Sequence, residues 1–118
     1  MARTLVLAST IPESERQWAA MMRAEACARL AWLLPPGTIL CMPTTPFPAP
    51  PKGLPLATLE PLRARIGCLA SQGGLTGVPQ VSLPGAAVDG LPVGLSILGA
   101  RGSDTVLVAV AKAMEAGR

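Results

Sequence analysis

The chain has no histidine and no tyrosine, and one phenylalanine beside two tryptophans in 118 residues. Without histidine there is no imidazole to act as general base for a serine or cysteine, and no His-containing zinc site. With so few aromatics the stacking surfaces that read single-stranded nucleic acid are missing, and the ten Lys and Arg are scattered, so a net charge of +3 marks no nucleic-acid surface. Cysteine is also scarce. Cys27, Cys41 and Cys68 are odd in number, widely spaced and without a CxxC pair, which argues against a disulfide framework and fits a reducing, cytoplasmic setting. Long apolar runs are absent as well: the opening segment MARTLVLAST is too short in its apolar part for a signal-peptide core, and no stretch approaches the roughly twenty residues of a membrane-spanning helix. No glycine-rich phosphate loop, dinucleotide fingerprint or paired-carboxylate signature occurs.

What is abundant is apolar residues, at 50%, with 12 glycines and 13 prolines and only 14% charged residues. That balance belongs to a folded chain, and its length to a single domain over residues 1–118. A chain this short buries only about two-thirds of the surface its unfolded form exposes. Some of its apolar surface is therefore expected to meet a partner, most simply a second copy in a dimer.

Residues 1–10 read as a flexible N-terminus. A helix is expected over 12–34, capped by Ser9 or Thr10, with Pro12 in its first turn and Pro35-Pro36 ending it. Trp18, Met22, Ala26, Leu30 and Leu33 fall on one face and are expected to pack on a core. The run GTILCM at 37–42 reads as a buried strand, which makes Cys41 a buried structural cysteine rather than a reactive thiol. Residues 43–56 form a proline-rich loop, with six prolines in PTTPFPAPPKGLP. It is either a ligand for an SH3-like module or, more plainly, a stiffened surface crossing. A second helix is expected over 59–72, carrying Leu62, Ile66 and Leu69 on one face and stopped by Gly73-Gly74. PQVSLP and LPVGLSILG read as two strands joined through Asp89-Gly90. Ser103 caps a last helix over 104–116, with Val106, Leu107, Val110 and Met114 as its stripe. The pattern is α/β, a short mixed β-sheet flanked by helices.

For chemistry the residues offer little. Ser71 in SQGG has the look of a nucleophile loop, but no positioned base accompanies it, and a helix-terminal turn is its plainer role. No catalytic residue is assigned.

The segments ILCMPTTPFPAPP, LRARIGCLASQGG and LTGVPQVSLPGAAVDGLPVGLSILGARGSD, in that order and spacing, resemble the carboxy-terminal portion of the amidase signature family, in its indole-3-acetamide-hydrolase-like branch. The resemblance runs from about residue 38 to 115. It implies a partial amidase-signature fold and a parent reaction that hydrolyses amides without metal or cofactor, using a serine, a second serine bound through a cis peptide, and a lysine. Those residues lie upstream of the matched part, so the chain alone is expected to be inactive: a fragment whose other partner is the missing N-terminal amidase segment, or else a noncatalytic assembly module that keeps the scaffold. The resemblance also implies that Thr44, Thr45 and Gln72 approach a small amide substrate as part of a pocket wall, against their plainer roles in turn and cap hydrogen bonding. Gly74 stands where many members have asparagine, and Ser96 where many have glutamine.

Overall fold

In the computed structural model, which describes residues 9–117, the chain forms α1 (Glu13–Leu33), β1 (Ile39–Pro43), α2 (Leu56–Ala70), α3 (Gln72–Thr76), β2 (Gln80–Val88), β3 (Leu91–Gly99) and α4 (Asp104–Ala116). Of the reading of 1–10 as flexible, residues 1–8 lie outside the described residues. Asp89 and Gly90 both take positive φ, 53° and 76°. That is the geometry of a two-residue type I′ hairpin, which Asp-Gly adopts at low cost. Val88 is accordingly paired with Leu91, and the ladder runs back to Gln80 opposite Leu98, with one bulge between Pro84 and Ala86.

β1 pairs with the other edge of β3, from Ile39 opposite Gly99 to Pro43 opposite Leu95. The order is β1-β3-β2. The sheet is antiparallel throughout rather than mixed: β1 and β2 run the same way, as expected for strands joined through helices, but the hairpin inserts β3 between them.

The α/β architecture is thus present, with α4 as the helix that lies along the sheet. Leu107 and Ala111 are buried against Ile97, and Val110 and Met114 of the helix and Ile39, Val81 and Leu83 of the sheet pack around this cluster. Of the stripe expected on this helix, Val106 remains exposed. Ser103 occupies the cap position as expected, yet its hydroxyl donates backward to the Ala100 carbonyl at 2.6 Å, not forward into the helix. Asp104 supplies negative charge to the first turn.

On the opposite face Leu98 is buried with Leu30, Leu34 and Val78, joined by Met42. This corrects the expected packing of α1. Of Trp18, Met22, Leu30 and Leu33 only Leu30 is buried; Trp18 is 65% exposed and Leu33 51%. The helix lies mainly against short α3, to which Arg23 donates at the Leu75 carbonyl, 2.8 Å away, and only its last turn reaches the sheet. Periodicity identifies apolar arcs on a helix but not which arc meets a neighbour. α1 also begins one turn later than Ser9 or Thr10 would cap it, with Pro12 itself at the cap position and Glu13 and Glu15 in the first turn.

α2 starts earlier than expected, at Leu56, and carries Pro61 inside it. Gly73-Gly74 do not stop the chain: α3 runs through them and ends at Gly77, in the left-handed region at φ 75°. α2 has no buried residue and packs on α3, not on the sheet. The strands are therefore not buried on both faces along their length; only Ser96 to Gly99 of β3 are fully enclosed. Cys41, expected in the interior, is exposed because β1 is an edge strand.

Leu30→Ala should cost about 2–5 kcal/mol, since it opens a cavity between α1 and Leu98. Trp18→Ala, on the exposed arc, should stay within about 0.5 kcal/mol. Chemical-denaturation midpoints of the two variants check the contrast.

Candidate functional site

Side chains two residues apart on a strand share a face. Ser96 is opposite Met42 on one side and Ser82 on the other. Thr44 follows β1 by one residue, and its amide donates to the Gly94 carbonyl at 2.9 Å. A Cβ on Gly94 would lie 2.7 Å from Thr44 Oγ1 and 3.1 Å from Ser82 Oγ. Glycine here leaves the space in which the Thr44 hydroxyl crosses β3.

The Thr44 hydroxyl shares hydrogen bonds with Ser82 Oγ at 2.7 Å and with Ser96 Oγ at 2.9 Å. Gln80 Nε2 donates to Ser96 Oγ at 3.0 Å. A polar chain, Ser82–Thr44–Ser96–Gln80, thus crosses all three strands, with Ser96 fully buried within it. Its members are neutral hydroxyls and an amide. They can orient a hydrogen-bonding ligand or fix a backbone, but none is a base strong enough to activate a nucleophile.

Thr45 turns away from this chain. Its hydroxyl donates to the Phe47 carbonyl at 2.9 Å, closing a local turn, and the residue borders an apolar cavity of about 400 Å³ formed by the proline loop and the hairpin, including Phe47, Val93 and Leu95. The proline-rich loop lies between Pro43, the last residue of β1, and Leu56, the first of α2. It is tethered, because the Arg65 guanidinium sits 5.3 Å over the Phe47 ring. Gln72, at the start of α3, donates its side-chain amide to the Cys68 carbonyl at 3.0 Å, and its own carbonyl accepts from Thr76 at 2.7 Å. Of the three residues singled out from the sequence, Thr44 and Thr45 meet at the root of the loop, whereas Gln72 is hydrogen-bonded within its own helical turn.

Ser71 closes α2, and its exposed hydroxyl donates to the Gly67 carbonyl one turn back. That is the turn role expected of it. Among the described residues no group of three metal-binding side chains comes together, and no helix is long and apolar enough to cross a membrane. Gln80 and Ser82 were not singled out from the sequence. Their signal was available: polar residues at alternate positions in an otherwise apolar strand declare one face.

The sheet, its helices and the loop place the chain in the class of amidase folds. A crystal structure of an amidase matches 97% of this chain and 27% of its own length, with a TM-score of 0.76 at 30% identity. Sequence relatives agree. Amidase 1 of Oryza sativa subsp. japonica is 44% identical over 89 residues, covering 75% of this chain and 20% of that protein. Amidase 1 of Arabidopsis thaliana is 34% identical over 95 residues, 80% of this chain and 22% of that protein. A glutamyl-tRNA(Gln) amidotransferase subunit from Geobacillus thermodenitrificans (strain NG80-2) is 40% identical over 78 residues, 65% of this chain and 16% of its own length. No family model matches the chain. The chain belongs to the amidase signature family, corresponding to the carboxy-terminal portion of its members. It spans about a fifth of the length of the two plant relatives, a fragment of an amidase in extent.

Thr44→Val removes the hydroxyl shared by Ser82 and buried Ser96 and should cost about 1–3 kcal/mol. Thr45→Val, which loses a single local hydrogen bond, should cost less. Thermal unfolding of both variants tests the ranking.

Proposed function

We propose that this chain is the carboxy-terminal segment of an amide hydrolase, which converts R-CO-NH2 and water to a carboxylic acid and ammonia. The observation that supports this most directly is 44% identity to a plant Amidase 1 over 89 residues, joined to a match with an amidase structure along nearly the whole chain. The bond-breaking serines and lysine belong to the upstream segment of such an enzyme, and the reaction draws on no metal or cofactor. This chain supplies scaffold and pocket wall. Thr44, Thr45 and Gln72 are the residues proposed to approach the amide, with Thr44 held in place through Ser82 and Ser96. Small aryl and indolyl acetamides are the proposed substrates of the complete enzyme. Residues 1–118 act as one unit in the cytoplasm, and the unit covers its apolar surface by self-association or by docking to the upstream amidase segment.

The purified chain, assayed for ammonia release from indole-3-acetamide and simple aryl amides, should show no turnover. Hydrolysis that survives further purification and disappears in Ser71→Ala would overturn the reading, because it would put a nucleophile within this segment.

A further inference from the structure

Among the described residues, α1 carries an apolar arc that stands exposed. Trp18, Met21, Met22, Trp32 and Leu33 are exposed by 65%, 70%, 44%, 81% and 51%. At 100° per residue they lie within a single sector of the helix, turned away from Leu30 and Leu34. Midway along that sector sit Glu25 and Arg29, whose side chains pair with each other one turn apart, the Arg29 Nε donating to Glu25 Oε1 at 3.0 Å. Whatever covers the arc must also meet this ion pair, since enclosing it against a purely apolar surface would cost its hydration without return.

We propose that the occupant is α1 of a second copy, lying antiparallel about a twofold axis near residue 27. The arrangement is self-complementary. Reversing the helix about that point brings Glu25 opposite the partner's Arg29 and Arg29 opposite the partner's Glu25, so each carboxylate meets a second guanidinium. The same operation sets Trp32 and Leu33 against the partner's Met21 and Met22, at both ends of the contact. Apolar, charged, apolar is read the same way in both directions, which is the property an isologous interface needs. The two Trp32 rings, contributing on the order of 150 Å² each, are joined by Leu33, Met21 and Met22 at both ends of the contact toward the roughly 1,000 Å² that a specific interface requires. A parallel pair would set Glu25 against the partner's Glu25 and Arg29 against the partner's Arg29, and is disfavoured by like-charge contact.

This proposal rests on the self-association reading above and adds its surface and register. Sedimentation equilibrium of the full chain at micromolar concentration should give a dimer. Glu25→Arg and Arg29→Glu, each checked for unchanged helical circular dichroism, should each raise the dissociation constant by about tenfold or more through clustered like charge. The double exchange, E25R with R29E, should return it to within about threefold of the parent. Trp32→Ala should weaken the dimer without touching charge. A dimer indifferent to all these changes would leave self-association standing and overturn the α1 surface. Weakening by the single changes without recovery in the double would overturn the antiparallel register. A strictly monomeric chain would overturn both, and would assign the arc to the upstream amidase segment.

Discussion

β3 is the strand on which both halves of the core are built. Ile97 points to one face, where α4 covers it, and Leu98 to the other, where the last turn of α1 meets it. Adjacent residues of one strand thus hold two helices that do not otherwise share a core. The position of β3 is in turn set by the Asp89-Gly90 turn, which folds it back along β2 and leaves its second edge for β1. With that turn in place, the antiparallel sense of the β2–β3 pair follows.

The enclosed apolar core is small for a chain with this composition. Among the described residues, seven apolar side chains are buried, while both tryptophans and three methionine- or leucine-bearing positions of α1 stand in solvent. So much exposed apolar surface is more than a small domain usually leaves uncovered, and the chain spans about a fifth of the length of its plant relatives. α1 and α2 are the elements most affected, since neither lies along the sheet.

Against this open periphery the polar chain through Thr44, Ser96, Ser82 and Gln80 is a local device of precision. A buried hydroxyl is costly unless it finds a partner, and here the buried Ser96 hydroxyl bonds to both Thr44 and Gln80, while Thr44 also reaches Ser82 across β3. The consequence is that the start of the proline loop is held to the hairpin, so the direction in which the loop leaves the sheet is decided at Thr44. Phe47 and Arg65 hold it again further on. Proline stiffens the chain between these two anchors.

Several features were legible from local chemistry. Asp-Gly between two apolar runs specifies its own turn, Pro35-Pro36 forbids a longer α1, and the motifs from ILCMPTTP to ILGARGSD carry the family in their order. Such features depend on backbone dihedrals and neighbours along the chain, which sequence states directly. The burial of α1, the exposure of Cys41 and the sheet's antiparallel sense were decided elsewhere. An apolar arc on a helix is equally apolar whether or not anything faces it, and a strand reads the same at an edge as in the middle. Thr44 and Ser96 stand 52 residues apart, and nothing along the chain announces that their hydroxyls meet. Only the insertion of β3 between β1 and β2 brings them within hydrogen-bonding distance, because contact across a sheet is set by strand order, and strand order is a property of the packed whole.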